Sequence, residues 1–303
     1  MRYYLSGVAD RDDAKLLLEM GIPNILIDPF QFWQIGLDVV CQFPHVALDS
    51  GSYAIWKNEK RYATERYATE RYATERDAER IQRILDQWDG FDFWVMPDAI
   101  PLPLSKDERP DYRGSAVATL GIWAFHADEY DPQHREIPVW HWGEETHWLE
   151  GYWTNERTVG IGGMVSIFRG GHRQENKKKK HLLDTARTEV VERLMTLLDN
   201  MLTDHGPVDR LHLFAANHIP SAVKLAPYCT SMDSSAWLRA ARYGYMFYVD
   251  SRNGQLSYRP GPKELDREER LRRALPLWRE WLEQMEAVPQ LTRGDLQAAK
   301  EEA

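Results

Sequence analysis

Three aspartates stand directly after short apolar runs in this chain: Asp49 after HVAL, Asp98 after FWVMP and Asp233 after CTSM. A carboxylate can attack an electrophilic carbon, carry a proton, or accept hydrogen bonds from a heterocycle. Three of them at comparable points of the chain could divide those tasks. A single aspartate in that position more often caps a helix or closes a turn, so the neighbouring residues matter. Asp49-Ser50-Gly51-Ser52-Tyr53 offers a carboxylate, a hydroxyl and an aromatic face close together. The run VGIGGM ends on Gly162-Gly163, where backbone amides can reach a flat ligand. Asp233 is followed by Arg239, Arg242 and Gly244. Two guanidinium groups near a carboxylate suit the phosphates that flank a sugar. His141 and His147 are spaced His-x5-His, which is no metal-ligand spacing of any standing, so His141 reads as a base contact or a packed residue.

Charge narrows the partners. With 47 acidic against 38 basic side chains the net charge is −9, which argues against a general nucleic-acid coat protein. One segment runs against that balance: RGGHRQENKKKK, carrying Arg169, Arg173, Lys177, Lys178, Lys179 and Lys180. It reads either as a solvated face or as a glycine-hinged loop that grips phosphates. No run of about 18 apolar residues exists to cross a membrane. The first ten residues lack the apolar core of a signal segment, so a cytoplasmic protein is expected. Two cysteines, Cys41 and Cys229, cannot build a disulfide framework or a Cys-rich zinc site, and neither a metal nor a cofactor is expected.

The elements that must position these groups are short apolar runs alternating with helix-like stretches. Eight candidate strands are Tyr3–Ser6, Asn24–Ile27, His45–Leu48, Phe93–Met96, Ile137–Trp140, Thr158–Ile161, Leu211–Ala215 and Tyr228–Met232. Helices are expected over Arg11–Met20, Ser115–His126 and His181–Met201, the last with Leu182, Val190, Leu194, Leu197 and Leu198 on one period. That count fits an α/β fold, a (β/α)8 TIM-type barrel over 1–260, with a helical insertion after strand 3. An open doubly wound sheet is the alternative, but no G-x-G-x-x-G follows the first strand. The insertion, Arg61–Arg76, repeats RYATE three times. Its period of five turns a helix by about 500° per copy, so the tyrosines form no single stripe. It reads as a duplicated surface helix, or alternatively as an arm presenting Arg61, Arg66, Arg71 and Arg76 to nucleic acid. Residues 261–303 read as a C-terminal helix, with Leu271, Leu275, Trp278 and Leu282 on one face, and a frayed tail.

Over roughly residues 45–245 the chain resembles the tRNA-guanine transglycosylase superfamily. It is more similar to the short DNA-guanine transglycosylases than to the tRNA enzymes. The family's D-S-G-G-[FY] motif matches Asp49–Tyr53 with Ser52 in place of the second glycine. Its second aspartate matches Asp98, its I-G-G-L turn matches Ile161–Met164, and its nucleophile motif matches Asp233, Arg239, Arg242 and Gly244 at every offset. Its Gln-Gly-Gly turn falls on His141-Trp142-Gly143, a departure. The C-x-C-x-x-C…H zinc motif of the tRNA enzymes is missing after Asp233. That absence shifts the expected polymer from tRNA toward DNA.

The resemblance implies exchange of guanine for a 7-deazaguanine base, such as 7-cyano-7-deazaguanine, within a polynucleotide. Asp233 would attack C1′ and hold a covalent glycosyl intermediate, and Asp49 would serve as general acid and base. Asp98 would read the purine edge, Gly162 and Gly163 would present backbone amides, and Ser50, Tyr53 and His141 would line the base. The expected partners are DNA or alternatively tRNA, free guanine and the incoming base; self-association into a homodimer is left open. Two readings from other classes remain beside it. The same carboxylates could serve a nucleoside or N-glycoside hydrolase, or the chain could be a non-catalytic nucleic-acid-binding subunit, against which the retained Asp233 and both arginines speak.

Overall fold

The computed structural model describes residues 1–52, 75–100, 110–130, 135–156, 158–163, 177–251, 255–292, 294–295 and 298. Side chains of residues 75–78, 122–130, 177–184 and 239–240 are outside that description. The chain forms a nearly closed, barrel-shaped parallel sheet of nine strands with helices around it. The strands are β1 Arg2–Ser6, β2 Asn24–Ile27, β3 His45–Leu48, β4 Phe93–Val95, β5 Glu136–Ile137, β6 Val139–His141, β7 Thr158–Gly162, β8 Arg210–Leu213 and β9 Ser231–Ser234. Their spatial order is β5-β4-β3-β2-β1-β9-β8-β7-β6, so the first strand lies between the second and the last.

Strand periodicity sorts side chains between two cores. Tyr4, Leu26, Ala47, Phe93, Val95, Ile137 and Val139 fill the inside of the sheet, with Phe214 against them. Their neighbours Tyr3, Leu5, Ile25, Ile27, Val46, Leu48, Trp94 and Trp140 face outward into the larger core beneath the helices. This is the two-residue alternation of a strand buried on both faces. The parallel register aligns the inward set from strand to strand, with Leu26 beside Ala47, Ala47 beside Phe93 and Val95 beside Ile137.

The expected strand Ile137–Trp140 is two strands, because Pro138 has no N–H to donate and breaks the ladder. Its carbonyl still accepts from Gly160 N at 2.8 Å. The last expected strand, Tyr228–Met232, starts three residues later and ends two residues later than expected. Ala226-Pro227-Tyr228 continues the helix Ile219–Leu225 as a 3-10 turn, so the strand starts at Ser231 and Asp233 lies inside it.

Capping residues start several helices. Asp10 accepts from the backbone of Asp12 and Asp13 ahead of helix α1, Arg11–Glu19. Asp28 and Gln31 form a capping box around helix α2, Pro29–Ile35. A four-residue helix α3, Leu37–Val40, follows, and helix α4 spans Glu75–Leu85. Residues 53–74, including most of the RYATE repeat, lie outside the described residues. Helix α5 runs Tyr112–Tyr130, α6 Thr146–Gly151 and α7 Lys177–His205, the first and last of these longer at both ends than expected. After β9 comes the short helix α8, Ala236–Arg242.

A two-stranded antiparallel hairpin, Tyr245–Val249 with Leu256–Pro260, was not anticipated. The C-terminal helix spans Arg267–Glu286 and buries Leu271, Leu275, Trp278 and Leu282 as expected, together with Trp281. Trp281 meets Tyr3 edge-on at 4.9 Å and Trp278 meets Phe247 at 5.1 Å, which ties this helix to β1 and to the hairpin. Among the described residues no helix is long and apolar enough to cross a membrane.

Candidate functional site

A cavity of about 250 Å³ opens where the strands end. Its wall takes Asp28 from the end of β2, Asp49 and Ser50 from β3, Asp98 beyond β4, and His141 from β6. Gly162 and Gly163 at β7, Ala215 beyond β8 and Asp233 in β9 complete it. All are carboxyl-end positions, where a parallel barrel presents its chemistry. Asp49, Asp98 and Asp233 therefore share one cavity. Its remaining wall is largely apolar, with Leu26, Val95, Val139 and Phe214.

Asp49 extends the β3 ladder through its N–H to Ile27 O at 2.8 Å. Burial, and then the nearby carboxylates of Asp98, Asp28 and Asp233, push its pKa well above the usual carboxylate range. Asp28 is pushed up by burial as well, against the helix amides that it caps. The Asp49 side of the cavity therefore holds its proton to higher pH than an exposed aspartate would.

Asp98 sits in a continuous polar chain. Ser50 Oγ donates to Asp98 Oδ1 at 2.8 Å, and the Asp98 amide donates to Ser52 Oγ at 3.1 Å. Ser52 thus has a use of its own: its hydroxyl joins the β3 loop to the backbone after β4. His141 Nε2 lies 2.9 Å from Asp98 Oδ2, and His141 Nδ1 lies 3.1 Å from Glu144 Oε1. Glu144 is fixed in turn by Ser115 Oγ at 2.7 Å and by the His141 amide at 3.0 Å. Burial pulls the His141 pKa down, but the hydrogen bonds to both carboxylates outweigh it and raise it to about 9. His141 is an imidazolium at neutral pH.

Asp233 sits in a different frame. Its Oδ1 accepts from Ala215 N at 2.8 Å and lies 3.4 Å from His212 Nε2. Ala215 presents that amide from a left-handed backbone, φ 55°, at the bend leaving β8. His212 and Ser231 are register partners in adjacent strands, and His212 Nδ1 lies 2.9 Å from Ser231 Oγ. His212 is fully buried, and burial lowers its pKa more than Asp233 raises it. The ring is neutral, and its partners select the tautomer: Nε2–H donates to Asp233 while Nδ1 accepts from the Ser231 hydroxyl.

Ser50, His141, Gly162 and Gly163 line the cavity with the three aspartates. A Cβ on Gly162 would meet Val139 Cγ1 and His141 Cδ2 at 3.0 Å, so glycine lets β7 pass close to β6. Gly163 adopts φ +77°. Arg242 is not brought to the cavity; it is exposed at the end of α8. The Arg239 side chain, Tyr53, Arg169 and Arg173 lie outside the described residues. Lys177–Lys180 form the first turn of α7 rather than part of a loop, although like charges at a helix N-terminus oppose its dipole.

Glu144, His212 and Ser231 were not singled out from sequence. His141-x-x-Glu144 was a readable spacing, whereas His212 and Ser231 meet only through strand register. No protein-family model matches the chain, and no curated protein is significantly similar to it.

Proposed function

We propose that the chain is a transglycosylase that exchanges guanine for a 7-deazaguanine base in a polynucleotide, DNA in preference to tRNA, through a covalent aspartyl intermediate. The sheet is then read as a (β/α)8 barrel, since β5 and β6, divided only by Pro138, count together as one of eight strands. The observation that carries the reading is one cavity with two aspartates in opposite settings. Burial among carboxylates raises the pKa of Asp49 and favours its protonated form, and Asp233 is aimed by a backbone amide and a neutral imidazole.

Asp233 attacks C1′ of a deoxyguanosine unit through an oxocarbenium-like transition state, forming the ester bond as the C1′–N9 bond breaks. Asp49 gives its proton to the departing guanine. The incoming base then returns a proton to the Asp49 carboxylate as its ring nitrogen attacks C1′ and releases Asp233. Asp98, oriented by Ser50 and His141, accepts from the N1–H and exocyclic amine of the purine edge. The base must leave the stack to reach this cavity.

Incorporation of labelled guanine into DNA and into tRNA tests the reading, with nucleoside mass spectrometry to identify the product. Incorporation into DNA is expected. Base release without reinsertion would make the protein a hydrolase, and inertness toward both polymers would end the proposal. Exchange by Asp49→Asn should drop by about 10² to 10⁴-fold. Activity of the unaltered protein should fall as pH rises through the elevated Asp49 pKa. An Asp49→Asn variant that retains full activity removes Asp49 from the mechanism.

A further inference from the structure

Beyond the cavity, helix α2 carries Phe30 and Trp33 three residues apart, hence on one face, and both are exposed, at 40% and 53%. The helix is not loose there. Its opposite face buries Phe32 against Phe91, and Asp28 and Gln31 box its start. Across from it, helix α4 brings Arg80 to 5.2 Å above the Phe30 ring. Pro29, Phe30, Trp33, Arg80 and Arg83 enclose a groove of about 300 Å³. Among the described residues Arg83 pairs with Glu79 at 3.7 Å, and both side chains are largely exposed.

The groove adjoins the cavity. A Cβ on Gly51 would stand 3.2 Å from Pro29 Cδ and 3.8 Å from Phe30 Cε2, so the aromatic face touches the Asp49–Ser52 loop. Asp28, immediately before Pro29, is already in the cavity wall. Aromatic faces interleaved with guanidinium groups are what unpaired nucleotides bind: bases stack on the rings and phosphates meet the cations. Two arginines beside aromatic rings are electrostatically complementary to a polyanion, in a chain whose net charge is −9.

We infer that the groove between Pro29–Ile35 and Glu75–Leu85 receives an unpaired stretch of the polynucleotide, which stacks bases on Phe30 and Trp33 and sets phosphates against Arg80 and Arg83. The inference deepens the polynucleotide reading and rests on it. It explains how a strand opened to deliver one base would be held beside the opening.

The probe is a fluorescein-labelled oligothymidine of a dozen nucleotides, which contains no guanine and so reports the groove apart from exchange; oligouridine is run beside it to separate DNA from RNA. Anisotropy with the full chain should give about tenfold weaker binding for Trp33→Ala and for Trp33→Leu, with Trp33→Phe near the unaltered protein. Removing Arg80 and Arg83 together as glutamines should flatten the plot of log affinity against log salt by about 0.7 per arginine. Thermal melts of each variant report folding; Trp33 is exposed enough to be replaced without loss of the core. The inference is overturned if the unaltered protein fails to bind at low salt, or if Trp33→Leu and the double glutamine variant bind like it. A Trp33-dependent dimer seen by light scattering without oligonucleotide overturns it too, in favour of a protein contact. Exchange lost with groove binding intact would instead count against the catalytic reading alone.

Discussion

Two buried histidines each present Nε2 to an aspartate of the same cavity, yet they differ in charge. His141 faces Asp98 and is held as an imidazolium up to about 9; His212 faces Asp233 and is neutral. The difference lies at the far nitrogen. Glu144 stands at Nδ1 of His141, whereas Ser231 stands at Nδ1 of His212. One carboxylate cannot offset the cost of burying a charged ring, and two can. The pairs are thereby suited to different work. Asp233 is oriented by the N–H of a neutral ring, whereas Asp98 is paired with a cation.

The comparison breaks most visibly at the aspartates. Asp233→Asn should cut exchange by on the order of 10³-fold or more and abolish a denaturation-resistant adduct with guanine-containing DNA, because the covalent route is gone. Binding of free guanine should survive. Asp98→Asn should do the reverse, weakening base binding while any adduct still forms. Identical behaviour of the two variants would mean that the pairs do not divide the reaction.

A smaller effect is expected at Glu144. Glu144→Gln should bring the His141 pKa below its ordinary value, read by NMR titration of the ring, and cost about 3 kcal/mol of stability near neutral pH. A His141 that still titrates near 9 in this variant would refute the account of its charge.

Stability against pH sharpens the same contrast, because the two rings pull in opposite directions. The folded pKa of His141 is raised, so its contribution is complete below about 6.5 and is lost as pH climbs through about 9, up to about 3 kcal/mol. The folded pKa of His212 is depressed, so its contribution is present above about 6.5 and is lost on acidification. Denaturant titrations should show the alkaline loss vanish in Glu144→Gln while the acid loss remains.

The smallest effect belongs to Ser231→Ala. Removing the hydroxyl leaves His212 Nδ1 without a donor and should cost about 1 kcal/mol. Exchange should slow modestly as Asp233 loses orientation, and a rate unchanged at equal folding would show that Ala215 N alone orients Asp233.

Asp49 and Asp98 could be read from sequence because HVAL and FWVMP are apolar runs whose ends mark the rim of a parallel sheet. Asp233, also singled out from sequence, lines the same cavity although its strand begins later than expected; Ala226-Pro227-Tyr228 forms a turn of 3-10 helix where apolar composition alone suggests a strand. Glu144 was missed though it lies three residues from His141, since a lone His-x-x-Glu in a tryptophan-rich stretch has no meaning until the turn folds back. His212 and Ser231 were beyond sequence reading: they are nineteen residues apart, and only the β8–β9 register makes them neighbours. The hairpin after Gly244 was legible and overlooked, since the sequence places Asn253-Gly254 between the β-prone runs YMFYV and LSYRP. The lysine run misled because charge says nothing about whether a helix has begun.

The pairing of β1 with β9 has a consequence for how the protein is made. Arg2–Leu5 are made long before their partners: one of their edges waits for Ser231–Ser234, and Tyr3 waits for Trp278 and Trp281. Contacts this distant along the chain are slow to form. A nascent chain halted before Ser231 therefore leaves one edge of β1 unpaired and holds Asp49 and Asp98 with no Asp233 opposite them, and one halted before the C-terminal helix still lacks the cover of Trp278 and Trp281 over Tyr3. The three aspartates come together only once Ser231–Ser234 has been made, and joining the ends while opening the chain between β8 and β9 would place Ser231–Ser234 ahead of Arg2–Ser6 in the order of synthesis.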